Sequence, residues 1–515
     1  MPDARVAIIG AGVGGLTAAL LLAARGLEVT VYERAPTVGG KMREVVAGGR
    51  AIDAGPTVFT MRWVLDEILA AAGARLDDHL VLRPAGILAR HAWSAAERLD
   101  LHASVEASAE AIGDFAGAAA ARGYRDFCAR AGRIYAALEA PFLRHPHPTP
   151  VSLAFSAGWR AFREVSPFAT LWRVLGAHFE DARLRQLFGR YATYCGCSPF
   201  LAPATLMLIA HVEQSGVWLV DGGMHRIARM LRDLAEARGA RFRLGAEVSD
   251  ILAAGGRVRG LRLADGEVVE AGTVIANADA AALATGLFGD AARPTVPRPG
   301  ARSLSAVTWT MLAEAEGFPL HRHNVFFGGD SEAEFGDLFA RQRLPADPTV
   351  YVCAQDRGDE AAPAAGPERL LCLVNAPPTG DRHPHDASEI DACATRSFAL
   401  LARCGLRLTT SPEAVVTTTP QDFEGLFPAT GGALYGRAVH GWQASFQRPT
   451  AATRLPGLYL AGGSAHPGAG VPMAAMSGRF AAERAMADLA STRRFHRTAM
   501  PGGMSMDSAR TGGTA

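Results

Sequence analysis

The chain has 515 residues, 49% hydrophobic and 20% charged, with a formal net charge of +1. That length holds two or three domains with full-sized cores. The near-neutral balance excludes bulk nucleic-acid binding through a broad basic face. Lys41 is the only lysine, so nearly all the cationic groups are guanidinium. Seven cysteines (128, 195, 197, 353, 372, 393 and 404) are scattered, odd in number and without a CxxC. They read as the thiols of a reduced, cytoplasmic chain. Cys195 and Cys197 are the closest pair, either a redox couple or two buried thiols. No uninterrupted apolar run reaches the length of a membrane-spanning helix.

The first predicted element is a buried parallel strand, Arg5–Ile9, "RVAII". Gly10, Gly12 and Gly15 follow as G-x-G-x-x-G, then an Ala/Leu-rich helix over Leu16–Arg25 that stops at Gly26. A second strand ends at Glu33. In this pattern Gly10 permits the tight turn, Gly12 lets backbone approach a pyrophosphate, and Gly15 lets helix and strand pack. The helix N-terminus stabilises the phosphate charge, and Glu33 accepts from a ribose hydroxyl. A glycine-rich turn in an ordinary α/β domain is the bland alternative. The strand before the loop, the helix after it and the acid at the next strand end favour a dinucleotide. No charged leader precedes the apolar start, so it does not read as a secretory signal.

Residues 104–213 read as largely helical, broken at "HPHPTP" (145–150). Phe200–Ala210, with Trp218 nearby, is either a monotopic membrane patch or a buried core helix. From Gly216 the pattern is turn, helix, edge strand, hairpin and strand, with Asp265-Gly266 at the hairpin turn. Three strands of one sheet and a helix are expected between 294 and 432, flooring a cavity. The histidine pairs 145/147, 321/323 and 383/385 read as loop residues, with no ligand cluster for a metal. Near the C-terminus "LYLAGG" is a strand. "GGSAHPGAG" is a loop, and "VPMAAMSGRFAAERAMADL" a helix with Pro472 in its first turn.

"RAPTVGGKMR" and "AIDAGPTVFTM", following Glu33, resemble the flavoprotein superfamily of amine oxidases and carotenoid desaturases. The resemblance implies an α/β fold with a discontinuous, Rossmann-like FAD domain of the two-dinucleotide-binding type and an α+β substrate domain. Residues 1–85, 216–292 and 433–490 would form the first, 86–215 and 293–432 the second, and 491–515 a flexible tail. It further implies that Gly14, Arg34, Gly39, Gly40, Lys41, Gly55, Pro56 and Thr57 lie along FAD with the fingerprint glycines. Backbone from Val248 would reach the adenine, and Asn277 would close that segment. Read without the resemblance, "GGK" is an exposed turn, "DAGPT" a strand and proline turn, and the Val248 segment a generic α/β unit.

"GLYLAGGSAHPGAGVPMAAMSG" resembles the C-terminal signature of bacterial carotenoid (phytoene-type) desaturases, and with the N-terminal segments the likeness spans nearly the whole chain. "FGRYATYCGCSPFLAPATLMLIAHVEQSGVWLVDGGMHRIA" is most similar to the 1-hydroxycarotenoid 3,4-desaturase branch, which acts in spheroidene and spirilloxanthin synthesis of purple bacteria. Gly462, Gly463, Gly470, Val471 and Pro472 would then meet the flavin ring, with the helix N-terminus facing the edge where charge collects on reduction. Many amine oxidases carry an acid where this chain has Gly463, so backbone N–H groups must make that contact. The implied reaction takes two hydrogens from adjacent carbons of a C40 carotenoid, with oxygen or a quinone as electron acceptor. The implied location is the cytoplasmic face of an inner or photosynthetic membrane. A phytoene desaturase, a redox-neutral isomerase and a non-enzymic prenyl binder are the alternatives. Asp221, Glu213 and His466 are the polar residues near these motifs, and none of them is assigned as a proton acceptor.

Overall fold

The computed structural model describes residues 5–152, 166, 168–298, 300–358 and 366–496. The expected tail at 491–515 lies outside the described residues from 497 onward.

Five parallel strands build the sheet beneath the N-terminal loop. In spatial order they are Arg241–Leu244, Glu28–Glu33, Arg5–Ile9, Thr273–Ala276 and Leu458–Leu460. Val6, Ala7, Ile8 and Ile9 are all buried, as a strand covered on both faces requires. Three distant stretches of chain therefore share one sheet.

Every residue of the Val13–Ala23 helix is buried, because it lies between the His225–Glu236 helix and the long C-terminal helix Val471–His496. Glycine makes the second contact possible. A Cβ on Gly478 would lie 2.1 Å from the Gly14 carbonyl oxygen, so the two helices touch backbone to backbone.

The second large sheet has eight strands. Along its main path run Arg407–Thr409, Ser305–Glu316, Glu368–Ala376, Val350–Ala354, His323–Phe326, Ile87–Ala92 and Arg98–His102, with Val415–Thr418 paired beside Ser305–Glu316. The three expected strands lie side by side within it. The 87–102 hairpin was not foreseen, since its short, mixed polar runs carry little alternation. The expected helices are present over Val105–Ala116, Ala118–Leu138, Leu171–His178 and Ala182–Gly189. Their core stacks Tyr124, Phe127, Phe179 and Phe188.

Three expectations need correction. "VWLV" is a strand, Val217–Val220, and not a turn; it pairs with Phe59–Thr60 and Leu82–Pro84. "ARFRLGAEVSDIL" is two strands: Arg241–Leu244 edges the parallel sheet, and Val248–Ala254 joins the 257–270 hairpin. His323 is not a loop residue but a buried strand residue whose Nδ1 meets Tyr351 Oη at 2.7 Å. Within Phe200–Ala210, the residues Ala202, Ala204, Leu206, Met207 and Ala210 are buried, so most of the segment is a core wall, with Leu201 left at the surface.

Gly478→Val puts three carbons where a carbonyl already stands. Overpacking of this kind costs about 3 kcal/mol or more. A urea titration of the variant is expected to show that loss; an unchanged midpoint would mean that the helices do not touch there.

Candidate functional site: a glycine-lined cleft opening into an apolar cavity

A cavity of about 820 Å³ runs from the edge of the parallel sheet to the floor of the second sheet. All the sequence-predicted site residues except Gly15 line it. Gly15 lies one layer below, where a Cβ would sit 2.2 Å from the Gly10 carbonyl oxygen. That is the close helix–strand approach expected of it.

Asn277 joins the two glycine-rich loops. Its main-chain N–H donates to the Ile9 carbonyl at 2.8 Å and its Nδ2 to the Gly10 carbonyl at 3.3 Å. A Cβ on Gly12 would lie 2.7 Å from Asn277 Nδ2. One on Gly14 would lie 2.8 Å from Oδ1 and 2.7 Å from the Gly462 nitrogen, and one on Gly462 2.9 Å from Oδ1. Gly12 thus admits the Asn277 amide before any ligand, which changes the role the sequence pattern assigned to it. Gly10 (φ 88°) and Gly462 (φ 108°) also adopt left-handed backbone that other residues resist.

The joint is braced from both sides. Ser477 Oγ accepts from the Gly462 N–H at 2.7 Å, and Ser464 Oγ accepts from the Ala280 N–H at 3.0 Å. Asp279 caps the Ala280–Thr285 helix by accepting from Ala281 N–H. The Gly39 N–H donates to the Ala11 carbonyl, which lays the 39–42 loop against the fingerprint. Gly55 lets the next loop stack on it, since a Cβ there would meet the Lys41 carbonyl oxygen at 2.0 Å.

Glu33 accepts from the Ala11 N–H at 2.7 Å and the Ala35 N–H at 2.8 Å, so its carboxylate is fixed at the end of its strand, beside the glycine loop. Arg34 donates to the Gly425 and Leu426 carbonyls and lies 3.9 Å from Glu247. Lys41 Nζ donates to the Leu434 carbonyl at 2.8 Å; burial holds its ammonium below the usual lysine range, against the pull of Asp279. Both cations therefore tie the 420–434 segment across the cleft. Thr57 Oγ1 meets Tyr351 Oη at 2.7 Å, connecting the loop to the second sheet. Val248, buried, and Pro56 line the wall.

In the C-terminal loop, the Gly463 carbonyl accepts from Arg448 at 2.9 Å, and Arg448 also donates to the Tyr435 and Arg437 carbonyls. Nothing steric forbids a side chain at Gly463, whose nearest neighbour to a Cβ would be 3.7 Å away. Gly470 (φ 111°) turns the chain into the Val471-Pro472 helix start. Sequence reasoning missed Arg448; an arginine six residues after a tryptophan carries no pattern that marks it.

The three polar residues near the motifs separate. Asp221 is exposed and pairs with Arg83 at 3.6 Å, away from the cavity. His466 is buried outside the lining, its Nε2 donating to the His145 carbonyl at 2.9 Å; burial pushes it down to about 4, so it is neutral. Glu213 alone lines the cavity, 8% exposed, accepting from Tyr191 Oη at 2.9 Å, with its pKa raised by burial. Cys197 Sγ accepts from Val439 N–H and donates to the Cys195 carbonyl, and burial raises its pKa, which disfavours the reactive thiolate.

The donors fit a dinucleotide. Two helix N-termini, backbone N–H groups of left-handed glycines and one fixed carboxylate converge on a single cleft. The flavin-containing amine oxidoreductase pattern matches residues 13–486. The chain is 56% identical to the hydroxyneurosporene desaturase of Rubrivivax gelatinosus over 99% of this chain and 98% of that one. It is 46% identical to that of Cereibacter sphaeroides, covering 95% and 99%. With the zeta-carotene-forming phytoene desaturase of Myxococcus xanthus it shares 32% over 94% of each. Among solved structures, putrescine oxidase bound to putrescine superposes with a TM-score of 0.59 at 18% identity, over 94% of this chain and 99% of that one. That likeness shows the fold. The glycine joint, the fixed acid and the match across 13–486 together make this chain a member of the flavin-containing amine oxidoreductase family.

Proposed function

We propose that the chain is an FAD-dependent carotenoid desaturase that forms the 3,4 double bond of an acyclic 1-hydroxy- or 1-methoxy-carotenoid. The 56% full-length identity to a hydroxyneurosporene desaturase carries this reading, against 32% to a phytoene desaturase. The cavity supports it: its half away from the glycine loops is walled by side chains such as Leu206, Ile209, Val212, Leu371 and Leu373, suited to a polyene.

FAD is the cofactor; when bound it would supply the hydride acceptor for one of two adjacent carbons, the other carbon giving up its hydrogen as a proton to water or a protein group, and oxygen or a quinone would take the electrons. We assign its pyrophosphate end to Gly10–Gly15, Gly39–Lys41 and Gly55–Thr57, its ribose to Glu33, its adenine to Val248 and Arg34, and its ring end to Gly462–Pro472. The dinucleotide-binding unit would comprise 1–85, 216–292 and 433–490, and the substrate unit 86–215 and 293–432. Purified protein incubated with FAD and 1-hydroxyneurosporene is expected to yield a product two mass units lower. An equal-mass product with a shifted spectrum would indicate an isomerase, and unchanged substrate a binder.

A lipid-soluble substrate calls for a peripheral seat on the cytoplasmic face of the inner or photosynthetic membrane. Among the described residues no helix is long and apolar enough to cross a bilayer. Phe168 (73% exposed) and Trp442 (36%) stack edge to face at 5.7 Å, and Leu201 (48%) lies beside them, its carbonyl accepting from the Gly441 N–H. Trp442 also lines the cavity, so the membrane contact is assigned to this patch, to which Phe200–Ala210 contributes Leu201. Phe168→Glu with Trp442→Glu is expected to abolish sedimentation with anionic liposomes; undiminished binding would refute the assignment.

A further inference from the structure

Four cationic side chains line the cavity: Arg34, Lys41, Arg190 and Arg448. Three are spent on backbone carbonyls, as described above. Among the described residues, Arg190 makes neither a hydrogen bond nor an ion pair through its side chain. Its guanidinium stands 5.3 Å from the centre of the Tyr351 ring. It is placed there by the short helix Arg190–Cys195, which begins at the end of the Ala182–Gly189 helix.

The polar groups around it are unevenly occupied. Tyr351 Oη is taken by Thr57 and His323, and Tyr191 Oη by Glu213. Thr308 Oγ1, 2% exposed on the cavity floor, has no partner. Thr308, Leu373 and Tyr351 lie in one cross-strand row, so Thr308 and the ring beneath Arg190 share one face of the sheet. Glu213 lines the cavity as well, and burial favours its neutral form, so the carboxyl can exchange a hydrogen bond with a neutral oxygen.

A polyene that fills this cavity expels water from an unpaired guanidinium, above a floor where the Thr308 hydroxyl is already dry and unpaired. Such groups are costly to bury unless the ligand bonds to them. A hydrocarbon end offers nothing. A tertiary alcohol or ether oxygen accepts from the guanidinium, and the alcohol additionally donates to Glu213 or Thr308. The oxygen-bearing carbon is also only two bonds from the nearer carbon of the bond to be desaturated, so anchoring the oxygen sets which bond reaches the cofactor.

We propose that Arg190, with Thr308 and Glu213, forms the subsite that binds the terminal oxygen of the substrate and selects oxygenated over hydrocarbon polyenes. This rests on the desaturase reading above. Arg190 is a positioning and specificity residue here. It does not act on the reacting carbons.

The test is the affinity of flavin-loaded protein for three acyclic polyenes of equal length: 1-hydroxylated, 1-methoxylated and hydrocarbon. Bound polyene is followed by its absorption shift. Wild type is expected to favour both oxygenated forms. Arg190→Met is expected to weaken them about tenfold or more, as loss of a charge-assisted bond does, and to leave the hydrocarbon within about twofold. Equal weakening of all three, or none, overturns the proposal. If Arg190→Met fails to retain flavin, Thr308→Val carries the test, with a smaller loss in the same order; a loss without preference overturns it. Wild type that prefers oxygenated polyenes without oxidising them leaves the subsite standing and removes the desaturase reading. Wild type that oxidises all three with equal affinity does the reverse.

Discussion

Everything in the cleft depends on one close contact: the Asn277 side chain wedged between the loop that follows the first strand and the loop that precedes the last helix. Each loop comes from a different end of the chain, and the strand that carries Asn277 comes from the middle. Glycine at 12, 14 and 462 is required because the amide occupies the space where their side chains would be. The main-chain bond to Ile9 and the side-chain bond to Gly10 then fix the amide in register with the sheet. Preorganised backbone donors are useful only if they do not move when the ligand arrives, and a three-way joint of this kind holds them still.

The electrostatics follow the same plan. The lining cations of the cleft donate chiefly to carbonyls, and Arg34 also lies 3.9 Å from the Glu247 carboxylate. Lys41, Arg34 and Arg448 hold the 420–437 segment and the C-terminal loop in place. A buried ion pair would leave no positive potential for an anionic cofactor, whereas carbonyl-bound cations retain theirs. The substrate half reverses the balance: apolar walls predominate, and the few polar groups are either satisfied or aimed at one place. Arg190 is the exception to the carbonyl rule, which is why it draws attention as a ligand contact.

Much of this was legible in the sequence. The strand at Arg5–Ile9, the fingerprint and the acid at Glu33 follow from local chemistry, because a tight turn and a helix start each impose their own residues. The helical middle and the hairpin at Asp265-Gly266 follow from periodicity. What local reading could not supply was contact between distant segments. "VWLV" reads as part of a turn by itself, because only its partners, 59–60 and 82–84, make it a strand. Gly478 sits in the last helix with no motif, and only the Gly14 carbonyl explains it. Asn277 was placed at the cleft, but its grip on four glycines is a property of the assembled fold. Arg190 and Arg448 differ from the other arginines only by what surrounds them. The apolar stretch 200–210 shows the same limit, since core and membrane surface demand the same residues.

The most direct measurement is the flavin content of purified Asn277→Leu, a change that keeps the side-chain size and removes the amide. The joint as described predicts that the folded variant loses its flavin, with affinity for added FAD reduced tenfold or more, the effect of one or two lost buried hydrogen bonds at about 1 kcal/mol each plus the misplaced loops. A folded Asn277→Leu protein that purifies with a full complement of FAD would contradict it.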